Sequence, residues 1–223
     1  MAGVDPKALL SGDQISRMDL PDWRSMYRAL EARFRTGDFA TGLKLVEMIG
    51  AAAEEADHHP DVTLTYSSVH VLLTSHDVGG KTQRDVDLAR RISGFVAELG
   101  VVAEPASVQR AEIGLDTADR SEIKEFWKAA LAMRDDPEDE DAITDPQGVL
   151  PALWFQDTDP HEEPRQRFHY DLRVPPEVAQ ERIQAAVAAG GRVVSDEHAP
   201  RFVVLADAQG NKICICTHVG RSH

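Results

Sequence analysis

At Pro60 the apolar residues change their period, and that change constrains the first half of the fold more than any other feature. Before it, Phe39, Leu43, Val46, Ile49 and Ala53 recur at helical spacing behind Asp38, a side chain suited to capping a helix N-terminus. After it, Val69, Val71 and Leu73 alternate with His70, Leu72, Thr74 and His76, the period of a strand with two unlike faces. Proline disfavours the α conformation in the residue before it, so the helix is expected to stop around His58–His59. Gly79–Gly80 then turn the chain, and Thr82-x-x-Asp85 reads as a capping box with a shorter acid, opening a helix over Asp85–Leu99. Its apolar face is Val86, Ala89, Ile92, Phe95, Val96 and Leu99, and Gly100 is its stop.

Reactive side chains collect where the period changes. Glu54 and His58 are four apart and are expected on one helix face. His58 and His59 sit at the helix exit, and His76 ends the strand. Imidazole titrates near neutral pH and suits proton transfer in either direction. A polar helix end accounts equally for an isolated His-His-Pro. Three histidines and a glutamate also raise a zinc site. Against zinc, the region has no His-x-x-x-His pair, and the adjacent His58 and His59 are expected to point in different directions. His70 is read as a histidine satisfied within the sheet.

Glu54-x-x-x-His58-His59-Pro60, Tyr66, Val69-His70-Val71, Ser75-His76-Asp77, Gly79–Gly80 and Thr82-x-x-Asp85, with Trp23 and the Phe34…Phe39 spacing upstream, resemble the pterin-4a-carbinolamine dehydratase family. The likeness spans roughly residues 6 to 100; Asp61-Val62-Thr63 lacks the aromatic residue common there, and Lys81 replaces a frequent leucine. That resemblance implies removal of water from a 4a-hydroxytetrahydropterin to leave a quinonoid dihydropterin. One group takes a proton from a ring nitrogen and another protonates the departing hydroxyl. It implies that His58, His59 and His76 are pocket imidazoles, with His58 and His76 as the acid–base pair and His59 positioning substrate. Glu54 and Asp85 would orient or bind, Glu54 by holding His58. The pterin is the substrate, so no cofactor is implied. The resemblance also favours strands at Trp23–Tyr27 and Leu30–Arg35, where Ala29-Leu30-Glu31-Ala32 alone would pass for helix. Residues before them form an acidic lead-in with a short helix near Leu9, Leu10 and Ile15.

Val101–Ser107, with Pro105, reads as a linker, and the pattern then restarts. Glu112–Asp116 alternates like a strand, and Asp119-Arg120-Ser121-Glu122 is a capping signal. Ile123, Phe126, Trp127, Ala130 and Leu131 form an amphipathic helical stripe. The acidic run Asp135–Asp141 lacks calcium-loop spacing and reads as a solvated loop; Val149–Gln156 reads as a strand. A second copy follows: strand Phe168–Val174, helix Pro176–Ala189 with Val178, Ile183, Ala186 and Val187 inside, and short strands at Val193–Val194, Phe202–Leu205 and Ile213–Thr217, with a hairpin turn at Asp207–Asn211. A shift of 57 positions lays Glu112 on His169 and Leu115 on Leu172, a weak internal β-α-β-β-β repeat.

Glu125-Phe126-Trp127-Lys128, Leu153-Trp154-Phe155-Gln156, Phe168-His169-Tyr170-Asp171-Leu172 and Asp207-x-x-Gly210-Asn211-x-x-Cys214 resemble the glyoxalase-like branch of the glyoxalase/bleomycin-resistance (vicinal oxygen chelate) superfamily. The resemblance implies a sheet around a cavity, and in many members a divalent metal on four strand positions, here Glu112, Gln156, His169 and Cys214. Cys214 stands where metal-dependent members usually have glutamate, so a metal-free small-molecule pocket or a packing domain is favoured over a metal site. The fold class expected is α+β: a helix-on-antiparallel-sheet domain over 1–102, then paired βαβββ modules over 107–219.

Composition bounds partners and compartment. The net charge of -14 argues against sequence-independent nucleic-acid binding and against anionic membrane surfaces. No apolar run approaches a membrane span, and Met1–Pro6 lacks the basic start and apolar core of a secretory signal. Cys214 and Cys216 are too close in sequence for an unstrained disulfide, so free thiols and a cytoplasmic location are expected. The expected partner is a pterin, in a homo-oligomer that the histidine strand pairs through its exposed edge. The alternative function is small-molecule binding or sensing, with the dehydratase fold serving assembly. A metal-dependent lyase or dioxygenase in the second half is a third reading.

Overall fold

The computed structural model describes residues 5–124, 127, 133–137, 139–148, 150–160, 168–188, 190–206 and 212–221. The chain divides into two compact units, residues 1–108 with 218–223, and residues 109–217.

In the first unit, α1 (Gly12–Ser16) starts at a capping box between Ser11 and Gln14. Strands β1 (Arg24–Met26) and β2 (Ala29–Arg35) form a hairpin; helix α2 (Phe39–Ala56), strands β3 (Asp61–Leu64) and β4 (Ser68–Leu73), helix α3 (Gln83–Glu98) and the short β5 (Val102–Ala103) follow. The sheet order is β1-β2-β4-β3, antiparallel, with β5 also on β2. Register sets the faces. Leu30, Ala32 and Phe34 lie opposite Leu73, Val71 and Val69, and all six are fully buried against Leu45, Ile49 and Ala52 of α2 and Val86, Ala89, Ile92 and Val96 of α3. Each large side chain so buried contributes about 1.5–3 kcal/mol. Trp23 packs edge-on against Phe34, ring centroids 5.9 Å apart, and its indole N–H donates to Ser93 Oγ at 3.1 Å.

Several expectations are corrected. Asp38 caps α2 as expected, yet Phe39 and Leu43 are 48% and 44% exposed, and the buried stripe is Gly42, Leu45, Ile49, Ala52 and Ala53. Gly42 lets β3 come close, since a Cβ there would lie 2.6 Å from Leu64 Cδ1 and push that side chain aside. The helix ends at Ala56, because Asp57 turns left-handed at φ 47. The histidine strand is not an edge: β3, which carries only four residues between Pro60 and Thr65, covers it. The segment read as linker adds β5 to the first sheet, and Glu104 receives Arg35 at 2.7 Å.

The second unit is built on one eight-stranded sheet. Its strands are β6 (Arg110–Thr117), β7 (Arg134–Asp135), β8 (Ala142–Thr144), β9 (Leu153–Asp157), β10 (Phe168–Arg173), β11 (Arg192–Ser195), β12 (Phe202–Ala206) and β13 (Lys212–Cys216). Their order, β11-β12-β13-β10-β6-β9-β8-β7, repeats about the β10–β6 pair: each of these two is antiparallel to the other and parallel to the last strand of its own half. This is the paired-module layout, with β7 and β8 flanking the acidic run rather than a loop throughout. Of the first amphipathic stripe, Ile123 and Trp127 pack on the core, while Phe126, Ala130 and Leu131 lie outside the described residues, as does the Asp207–Asn211 turn. Helix α4 (Pro176–Ala188) covers Leu172, Ile213 and Ile215 through Val178, Ile183 and Ala186; Val187, expected inside, is exposed. Ile113, Leu115, Leu153 and Phe155 continue this apolar face. The opposite face carries Glu112, Gly114, Asp116, Trp154, Gln156, His169, Asp171, Arg173, Cys214 and Cys216. Neither cysteine is in a disulfide.

Candidate functional sites

A single carboxylate organises the histidine region. Asp85, the third residue of α3, is fully buried. Its Oδ1 meets His58 Nε2 at 2.8 Å. Its Oδ2 accepts from Thr82 N–H at 2.7 Å, Ser75 Oγ at 2.8 Å and Thr82 Oγ1 at 3.3 Å. Three chain segments therefore converge on one side chain: the exit of α2, the end of β4 and the start of α3. His58 is drawn in to 7% exposure. A buried carboxylate persists only when such donors replace lost water.

Ser75 places His76. Ser75 and Gly80 close a turn by the Ser75 N–H to Gly80 carbonyl bond of 2.9 Å, and Gly79, at φ 70, takes the left-handed step that turn needs. His76 stands exposed at its tip and makes no hydrogen bond or ion pair to any described residue. Next to it, Asp77 is clamped by Arg84 at 2.6 Å and Lys7 at 2.8 Å. The Arg84 hydrogen bond first, then that of Lys7, hold its carboxyl well below the usual carboxylate range.

Glu54 does not hold His58. The left-handed Asp57 breaks the helical register on which that pairing depended, and Glu54 Oε1 instead meets His59 Nε2 at 3.1 Å, both side chains exposed. His70 is satisfied across the sheet by Glu31 at 3.1 Å. Ser75 is the partner that sequence reasoning missed; its place in Ser75-His76-Asp77 was visible, its bond to a residue ten positions later was not.

In the second unit two of the four strand positions implied for a metal make other contacts. Glu112 binds the buried Arg173 guanidinium at 2.5 Å, and the Gln156 amide donates to the Asp157 carbonyl at 3.3 Å. What gathers is His169, Asp171 and Cys214, whose donor atoms all lie within 4.8 Å of one another. His169 Nδ1 meets Asp116 at 3.3 Å and its Nε2 meets Asp171 at 3.5 Å. Burial opposes charging of this imidazole, but the carboxylates of Asp171 and Asp116 outweigh it and hold His169 above its ordinary range. Burial likewise disfavours the Asp171 carboxylate, and His169, Cys214 and Arg173 overcome it to lower that group. Asp116, Asp171 and Gly114 were missed, although strand periodicity puts all three on the face of His169.

Comparison with known proteins agrees with this division. Residues 8–95 match the family model for pterin 4 alpha carbinolamine dehydratase, and residues 112–216 match that of the glyoxalase-like domain. A protein of Thermosynechococcus vestitus named "Putative pterin-4-alpha-carbinolamine dehydratase" is 44% identical over 77 residues, 34% of this chain and 81% of its own length. A namesake from Nocardia farcinica is 40% identical over 86 residues, 38% of this chain and 90% of its own. The crystal structure of a transcriptional coactivator/pterin dehydratase from Brucella melitensis is 26% identical, covering 40% of this chain and 98% of its own, at a TM-score of 0.38. The chain belongs to the pterin-4a-carbinolamine dehydratase family through its first half, and joins to it a glyoxalase-like domain. No helix among the described residues is long and apolar enough to cross a membrane.

Proposed function

We propose that the first unit dehydrates 4a-hydroxytetrahydropterins, with 4a-hydroxytetrahydrobiopterin as substrate, to the quinonoid dihydropterin by histidine acid–base catalysis. The observation that carries this reading is the Asp85 hub, which ties His58 and the turn bearing His76 to one buried carboxylate. An acceptor at Oδ1 fixes the proton of His58 on Nε2 and leaves Nδ1 as the basic atom. His76, exposed and without a protein partner among the described residues, serves as the second proton-transfer group, and His59, held by Glu54, positions the pterin. The second unit, from about residue 107 onward, acts as a separate domain with its own ligand.

The test is the rate of dehydration of 4a-hydroxytetrahydrobiopterin generated in situ. Wild type is expected to accelerate it; no acceleration would overturn the reading. Glu54→Gln should raise KM by at most about five-fold and leave kcat, because exposed charge pairs are worth about 0.2–1 kcal/mol. A collapse of kcat instead would make Glu54 a direct participant.

Self-association is part of the same proposal. Phe39 and Leu43 are one turn apart on α2 and exposed at 48% and 44%. Sedimentation velocity should give a species larger than the 24.5 kDa chain, shifted toward that mass by Phe39→Ser with Leu43→Ser. A monomeric wild type would exclude assembly.

A further inference from the structure

The polar face of the second sheet offers a donor set that differs from the four positions the superfamily resemblance implies. We propose that His169 Nε2, an Asp171 carboxylate oxygen and Cys214 Sγ form a three-donor site for a thiophilic divalent cation of the zinc class, with Asp116 orienting His169.

The placement follows from strand geometry. His169 and Asp171 are two apart on β10 and share a face, and Cys214 lies directly across from Asp171 on β13. The His169 and Asp171 side chains are 12% and 13% exposed, and Cys214 is 7% exposed. The separation of His169 from Asp171 fits two donors of one cation. With metal–nitrogen and metal–oxygen bonds of about 2.1 Å, two tetrahedral donors stand about 3.4 Å apart. His169 Nε2 and Asp171 Oδ1 are 3.5 Å apart, longer than an ordinary N–H···O bond. Three protein donors with a fourth position open to water or substrate is the pattern of catalytic zinc sites. A thiolate among them selects against magnesium and calcium.

The imidazole is also fixed in the manner of a metal ligand. Its Nδ1 lies 3.3 Å from Asp116 Oδ1, so Asp116 can hold the Nδ1 proton while Nε2 turns its lone pair to the cation on binding. The ring lies over Gly114, its cross-strand partner, where a Cβ would come within 2.7 Å of Cε1 and 2.9 Å of Nε2. Trp154 flanks it edge-on at 5.4 Å. Glu112 is already matched by Arg173, so it is not a fourth donor. On binding, Cys214 releases its thiol proton and the charged form of His169 releases its Nε2 proton, both to solvent, as the metal–sulfur and metal–nitrogen bonds form, so affinity falls as pH is lowered.

The experiment is Co2+ titration of the full chain after chelation, followed by Zn2+ displacement, a readout independent of dehydratase activity. One equivalent should bring a sulfur-to-cobalt charge-transfer band, abolished by Cys214→Ser and retained in Cys216→Ser and Gln156→Ala. Asp116→Asn should keep the band and weaken affinity by about 10- to 100-fold. Asp171→Asn, close in volume to wild type, should weaken binding without altering the circular dichroism spectrum. Absence of the band in wild type, its survival in Cys214→Ser, or its loss in Gln156→Ala would each overturn the assignment, the last in favour of the four-position set.

Discussion

Replacement of His58 by alanine is expected to lower kcat/KM for dehydration by about 100- to 10,000-fold, the range in which a positioned acid or base contributes. The effect should fall on kcat, because proton transfer is lost while His59 and the rest of the pocket still bind. Truncation also takes a donor from Asp85, which costs about 1–3 kcal/mol for a buried group left short of a partner. That is less than the about 5–15 kcal/mol of a typical domain, so the variant should be folded at 25 °C and its loss of rate chemical. Stopped-flow dehydration with circular dichroism on the same sample separates the two. A wild-type rate from folded His58→Ala would remove the acid–base assignment. Full rescue by His58→Gln, which donates a hydrogen bond but does not titrate, would reduce His58 to a positioning residue.

How far such a site is legible in a sequence depends on what joins its parts. The helix before Pro60, the alternation of Val69, Val71 and Leu73, and the Thr82–Asp85 capping box are local patterns, and each forms, the helix with a shifted buried stripe and an end at Ala56. The partners of His58 and His59 are not local. Glu54 and His58 fit an i,i+4 pair on paper, and one left-handed residue, Asp57, sends Glu54 to His59 instead. The pairing of His58 with Asp85 spans 27 positions and follows from the sheet delivering Ser75 beside the start of α3. Resemblance supplied the residue list; only packing shows who holds whom. β3 was missed because Val62 and Leu64 are too few to declare a period, and that omission made the histidine strand look like an edge. In the second unit the same period-2 rule that located His169 also reached Asp171 and Asp116. Attention to the four inherited positions passed them over.

Asp85→Ala should destabilise the first unit strongly. It removes the acceptor of four hydrogen bonds, from His58, Ser75 and twice from Thr82, at a site without access to water. A buried donor left without its acceptor costs about 1–3 kcal/mol, so the groups of His58, Ser75 and Thr82 together should cost about 4 kcal/mol. The carboxylate is also the N3 arm of the α3 capping box, so the helix loses its start in the same step. With a urea m-value of about 2 kcal/mol/M, the midpoint should drop by about 2 M. Trp23 lies in this core, so replacing Trp127 and Trp154 by phenylalanine leaves it as the reporter of the first unit alone. Asp85→Asn should fall between wild type and alanine. Its amide oxygen still accepts, but its NH2 must face one of the donors that the carboxylate now satisfies. If asparagine is as stable as wild type while dehydration falls as in His58→Ala, the charge of Asp85 serves catalysis and its hydrogen bonds serve the fold. If alanine itself unfolds at the wild-type midpoint, Asp85 is not the tie between α2, β4 and α3, and the convergence of His58 and His76 needs another cause.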